Sequence, residues 1–72
     1  MGTIEGQNFA RQNVIDSDTH YIECNFSQGQ MNTPISIINS VFESCNLVNC
    51  LIDESNTVID CNNNQIDFEA TE

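Results

Sequence analysis

Four cysteines, one histidine and eleven carboxylates are the residues of this 72-residue chain that could do chemistry. Cys24, Cys45, Cys50 and Cys61 would make a structural zinc site if they came in pairs roughly two to four residues apart, but the closest two, Cys45 and Cys50, are five apart. Cysteines stacked in adjacent tiers of a repeat would lie about 4.8 Å apart at the backbone, within reach of a disulfide, but a reducing cytosol favours free thiols, and no metal or cofactor is expected. His20 is the single histidine, and no Ser-His-Asp arrangement can be read around it, so it is expected as an outward surface residue. Asp53 with Glu54 and Asp16 with Asp18 pair carboxylates in sequence. General acid-base catalysis needs a cleft that drives two such pKa values apart, and nothing in the pattern supplies one. No catalytic residue is assigned, and the chain is not expected to be an enzyme.

The charge balance narrows the partners. Eleven Asp and Glu stand against one basic residue, Arg11, for a formal net charge of −10. Such a surface repels phosphate backbones and anionic lipid, so no direct nucleic-acid or membrane binding is expected; it attracts basic grooves on other proteins. No stretch has the roughly 18 apolar residues of a membrane span, and MGTIEGQNFARQ has neither a basic nor an apolar leader region. The expected location is the cytoplasm, where thiols stay reduced.

The elements that position these residues follow from repetition. CNFSQ (24–28) and CNLVN (45–49) lie 21 residues apart, and the same offset aligns THYIECNFSQ (19–28), SVFESCNLVN (40–49) and CNNNQIDFEA (61–70). In that alignment Thr19, Ser40 and Cys61 form a small column, Cys24, Cys45 and Ile66 an apolar one, and Phe26, Leu47 and Phe68 a bulky one. PISII (34–38) falls over SNTVI (55–59), with NVIDS (13–17) as a first copy. A period of this length predicts a solenoid, each coil packing on its neighbours.

A five-residue period runs inside it: ISIIN, SVFES, CNLVN and CLIDE carry Ile37, Phe42, Leu47 and Ile52 at the centre and Ile35, Ser40, Cys45 and Cys50 two residues before. Residues two apart face the same side of an extended segment, so both point inward. One inward position must be compact, and Cys acts there as a small hydrophobe. Four such blocks, with a corner after each, would close one square coil. Helix is disfavoured, since β-branched residues, Asn and Ser dominate over Ala and Leu.

This pattern, over residues 19–28 and 35–54, resembles the pentapeptide-repeat family, with a one-residue insertion near Gly29. The resemblance implies an all-β fold: a single domain over 1–72, a short right-handed quadrilateral β-helix of about three coils of ~21 residues. Larger members of that family resemble DNA in shape and charge and act on gyrase. Small acidic phage proteins of similar size include anti-CRISPR proteins that occupy the DNA-binding channel of a Cascade-type (type I) complex.

With the apolar residues inside, the acidic ones lie outside. Asp16, Asp18, Glu23, Glu43, Asp53, Glu54, Asp60, Asp67 and Glu69 are the expected partner-binding surface. The 21-residue register sets Glu23 over Ser44 and Gln65, and Glu43 over Ile22 and Asn64, which spreads the charge around a rod about 20 Å wide. Carboxylates would then stand in for phosphates. The expected function is a DNA-mimic inhibitor, an anti-CRISPR protein acting on a Cas subunit of a type I complex in the host bacterial cytoplasm. The alternatives are a gyrase inhibitor of the pentapeptide-repeat kind and a structural interaction module. A homodimer through a coil end is expected, since each end leaves a ring of apolar side chains open.

Overall fold

The computed structural model describes residues 1–12, 14–31 and 33–62, and among them the chain contains strands and turns but no helix. Strands β1 (Gly2–Glu5), β2 (Thr19–Ile22), β4 (Val41–Glu43) and β6 (Thr57–Ile59) form one parallel sheet in the order β1-β2-β4-β6. Strands β3 (Thr33–Pro34) and β5 (Cys50–Leu51) form a second parallel pair. A third face is held by parallel bridges from Asn8 to Asn25, Asn25 to Asn46 and Asn46 to Asn62. The result is a parallel β-solenoid of about three turns, the expected fold class.

The coils are not of uniform length. Tyr21 stacks on Phe42 at the offset the sequence repeat predicts, but Ile4 lies under Tyr21 and Val58 over Phe42 at shorter ones. Between Phe42 and Val58 the chain passes two other inward central residues, Leu47 and Ile52, so this coil closes after three blocks and one extra residue where four blocks were expected. The middle coil is longer because of what lies between Gln28 and Thr33. Asn49 caps Gln28 through Nδ2 to the carbonyl at 2.9 Å, while the very next residue, Cys50, pairs with Thr33. The segment 29–32 is thus inserted in one coil, where the sequence pattern suggests a single extra residue near Gly29.

Two alignments fall with the fixed period. Cys61 does not continue the Thr19–Ser40 column; it continues Cys24–Cys45, as the bridge between the following residues Asn46 and Asn62 requires. The residue that does follow Ser40 is Asn56, whose Oδ1 accepts the Ser40 N–H at 3.0 Å. SNTVI does not stack on PISII: Pro34 pairs with Leu51, and Thr57–Ile59 with Val41–Glu43. The positions assigned to Ile66, Asp67 and Phe68 lie outside the described residues.

Within each block the inward assignments hold. Ile35, Ile37, Ser40, Phe42, Cys45, Leu47, Cys50 and Ile52 are all buried. The large side chains meet as aromatic tiers: Phe9 stacks on Phe26 with ring centroids 5.2 Å apart, Tyr21 on Phe42 at 5.6 Å, and the two columns meet edge to face, Tyr21 with Phe26 at 4.9 Å and Phe26 with Phe42 at 5.1 Å. Each such pair adds about 0.5–1.5 kcal/mol beyond its buried area.

The compact inward position has a second requirement besides size. Thr19, Cys24, Ser40, Cys45, Cys50 and Cys61 each donate a side-chain hydrogen bond to the carbonyl two residues earlier. The four thiols also reach a carbonyl of the preceding coil: Cys24 to Ile4, Cys45 to Tyr21, Cys50 to Phe26 and Cys61 to Phe42. Alanine fits the space but gives up these bonds, leaving carbonyls such as those of Ile22, Ile38, Glu43, Val48 and Ile59 with only a backbone donor, which accounts for its scarcity here.

The corners need left-handed backbone. Gly6, Glu23, Ser44 and Asp60 have φ of 69°, 52°, 55° and 50° and follow one another at the end of β1, β2, β4 and β6. Asp18 and Asn39 repeat this at a second corner, and Arg11 and Asn49 at a third. Asn and Asp tolerate the conformation; Glu23, Ser44 and Arg11 hold it at a cost of about 1–2 kcal/mol each, offset by the ladder on either side.

Two substitutions separate these contributions. Phe42→Ala removes a ring that stacks on Tyr21 and meets Phe26 edge to face, and is expected to cost about 3–5 kcal/mol in urea denaturation, enough to unfold so small a domain. Ser40→Ala changes little volume but strips the acceptor of the Thr19 N–H, at 3.2 Å, and the donor to Ile38; it is expected to cost about 1–3 kcal/mol in the same measurement.

Candidate acidic interface

The register of the solenoid brings carboxylates together that a uniform period keeps apart. Glu5 pairs with Ile22, Ile22 with Glu43, and Glu43 with Ile59, so Glu5 and Glu43 share the last column of the four-stranded sheet. The next residue in each coil is the left-handed corner, where Glu23 and Asp60 share a column with Gly6 and Ser44. The corner is fixed by backbone bonds from Gly6 N to Ile22 O, Glu23 N to Glu43 O and Ser44 N to Ile59 O, each 2.9 Å. Every coil therefore contributes one carboxylate to this edge, alternating between two adjacent columns: Glu5, Glu23, Glu43, Asp60. Neighbouring tiers are about 4.8 Å apart along the stack. The expectation of charge spread around the molecule is corrected accordingly.

Glu43 is tied down more than the others. Its Oε1 lies 2.9 Å from His20 Nε2 on the coil below, and both side chains are half-buried, at 42 % and 32 % exposure. His20 is thus a partner of the acidic edge and not the free surface residue the sequence suggests. Glu5, Glu23 and Asp60 are exposed.

A second edge gathers the other four described carboxylates. Asp16 and Asp18 belong to the first coil; Asp18 sits at the left-handed corner and donates its N–H to Ile38 O at 3.1 Å. Asp53 and Glu54 lie two coils on, in a turn closed by Asn56 N to Asp53 O at 3.2 Å and tied back to the middle coil by Asn56 Nδ2 to Ile37 O at 2.9 Å. The Ser55 hydroxyl, together with its N–H at 2.9 Å from Oδ2, holds the Asp53 carboxyl below its ordinary value. Ile38 and Asn39 occupy the tier between. The third corner, at Arg11 and Asn49, has no described carboxylate; the inserted loop with Gln30 and exposed Met31 projects there, with Gly29 beside Arg11.

Glu5 belongs to the first edge but not to the sequence-derived surface. Its signal is the dipeptide Asn8-Phe9, which recurs as Asn25-Phe26 at less than the main period and places Glu5 just ahead of the Gly6 corner. Asp67 and Glu69 lie outside the described residues. Among those residues no three His, Cys, Asp or Glu side chains gather as a metal site, and no helix is long and apolar enough to cross a membrane. Comparisons with protein-family models, curated proteins and solved structures found no match.

Like charges stacked one coil apart repel, and the only Lys or Arg of the chain lies at another corner. Each neighbouring pair costs up to about 1 kcal/mol at the dielectric of water, and salt screens it. The urea midpoint is therefore expected to rise on going from about 20 mM to about 500 mM NaCl, and the rise should shrink in the Glu23→Gln, Asp60→Gln double variant.

Proposed function

We propose that this protein is an acidic inhibitor that occupies the basic nucleic-acid groove of another protein, its two carboxylate edges taking the place of the phosphate strands. The observation that carries the reading is the tiered arrangement of Glu5, Glu23, Glu43 and Asp60, one per coil, beside the second edge of Asp16, Asp18, Asp53 and Glu54. Eight carboxylates over about 14 Å of stack give roughly one charge per 2 Å, near the one per about 1.7 Å of duplex DNA. The extents of 26 × 24 × 22 Å describe a blunt body and not the rod expected from the sequence, about as wide as a duplex and long enough to cover only a short stretch of groove.

That dimension favours a target whose groove is engaged locally. The β-solenoid is compatible with the pentapeptide-repeat resemblance, whose gyrase-directed members are longer rods. The preferred target is therefore a DNA-binding Cas subunit of a type I complex, with the protein acting as a phage anti-CRISPR factor in the bacterial cytoplasm. The outer edge of β1, with half-buried Ile4, Phe9 and Ile15 in the first coil, offers the surface for an end-to-end homodimer that would lengthen the charged edges.

Competition tests the reading. Protein titrated against labelled duplex bound to a Cascade-type complex, and in parallel to gyrase, should displace DNA from the former, more weakly at higher salt. The Glu23→Lys, Asp60→Lys pair should weaken displacement by about 1 kcal/mol per residue. Lack of displacement from either target would leave the structural-module reading in its place.

A further inference from the structure

Three of the four thiols stand in a single file through the core. Asn25, Asn46 and Asn62 are bridged in parallel register, so the residues before them, Cys24, Cys45 and Cys61, occupy one position in three successive coils. Backbones in such a ladder run about 4.8 Å apart, within the Cα separation of about 4.4–6.8 Å that a disulfide accepts. Cys50 stands outside this file, paired with Thr33.

The upper two members are already in contact. The Cys45 N–H donates to Cys61 Sγ, 3.4 Å away. They differ in access. Cys24 and Cys45 are each 2 % exposed and Cys50 is 1 % exposed, whereas Cys61 is only half-buried. They differ in acidity as well: contact with Cys45, whose N–H donates to its sulfur, holds the Cys61 thiol below its ordinary value against the opposing effect of burial, while contact with Cys61, with burial, pushes Cys45 up. Cys50, held in the core, is pushed up to about 12 by burial.

We propose that Cys61 and Cys45 are an oxidisable pair, in which Cys61 is the entry point for a hydroperoxide and Cys45 resolves the product into a disulfide across adjacent coils. In the first step the Cys61 thiolate attacks the terminal peroxide oxygen. The O–O bond breaks, sulfur gives up two electrons, and water or an alcohol departs, leaving a sulfenic acid on Cys61. In the second step the Cys45 sulfur attacks the Cys61 sulfur and displaces hydroxide, which leaves as water with the Cys45 proton as the S–S bond forms. The sum is two thiols and one hydroperoxide giving a disulfide, an alcohol or water, and a further water.

Position in the stack selects this pair over Cys24 and Cys45. Bridging requires each sulfur to swing off its carbonyl, Cys45 off Tyr21 and Cys61 off Phe42, at 3.3 and 3.2 Å. Cys24 is laddered on both sides, to Asn8 and to Asn46 through Asn25, and is buried, whereas Cys61 is only half-buried. A peroxide therefore reaches the file at Cys61. The bridge would then clamp the coil that carries Cys61 to the coil before it.

The experiment treats the full chain, purified reduced, with hydrogen peroxide near pH 7.5, blocks remaining thiols with an alkylating agent and maps unreduced peptides by mass spectrometry. The expected product is an intramolecular link between Cys45 and Cys61, with Cys24 and Cys50 alkylated. Cys61→Ser, checked by circular dichroism for an unchanged fold, should slow peroxide-dependent thiol loss by at least about tenfold, since buried thiols react only through opening. Cys45→Ala should leave a sulfenic acid on Cys61 that dimedone captures. A link between Cys24 and Cys45, a link between two chains through Cys61, or four thiols that resist peroxide in the native protein and oxidise only in urea would each overturn the proposal.

Discussion

Parallel stacking at one coil spacing is the constraint on which everything else in this structure depends. In such a ladder every residue sits about 4.8 Å from its counterparts above and below, so each position must be compatible with a near-copy of itself. Aromatic rings meet that demand well, and Phe9 on Phe26 and Tyr21 on Phe42 stack nearly parallel, at 11° and 15°. Asparagines meet it as a ladder: Asn25 Nδ2 donates to Asn8 Oδ1 at 3.2 Å while the same side chains accept the backbone N–H two residues on. Small donors meet it by turning back onto carbonyls. Carboxylates do not meet it at all, and their recurrence along two edges is a cost to the fold that a basic partner would relieve.

The sequence carries the coil's interior in full and its period only in part. Alternation of small and large residues two apart picks out Ser40, Phe42, Cys45, Leu47, Cys50 and Ile52 correctly, because burial on a pleated segment leaves a strict signature. The register is lost where a single period is imposed. Asn-Phe at 8–9 and 25–26 and Cys-Asn at 24–25, 45–46 and 61–62 mark three unequal steps, the middle one longest. The insertion at 29–32 makes that longest step look like the rule, since solenoids absorb insertions at corners with little effect on the ladder. The corner conformation is legible only in part: Gly6, Asp18, Asn39, Asn49 and Asp60 are types that adopt left-handed backbone, but Glu23, Ser44 and Arg11 do not announce it.

The error in register has a functional consequence. Moving the last coil by five residues removes Asp60 from the side of Glu23, and moving the first by four hides Glu5, turning an edge into a scatter. The same shift takes Cys61 out of the cysteine file and places it over Ser40. The place of Asp60 on the acidic edge and of Cys61 in the thiol file both follow from one fact, that Asn46 is bridged to Asn62.

Shortness also shapes what the surface can do. A solenoid of about three turns buries a core only because its ends are near every residue, and the first and last described coils leave Ile4, Phe9, Ile15, Val58 and Cys61 half-buried. The half-buried tiers are the ones where chemistry remains accessible, while the middle tiers, with Phe26, Ile37, Phe42 and Leu47 at 0 % exposure, serve to hold them in register. The charged corners follow the opposite logic, since a corner is exposed in every coil and carboxylates can be carried there at any tier. The two proposed roles on this scaffold are thus divided by geometry: electrostatic recognition along the edges, covalent reactivity at a half-buried tier.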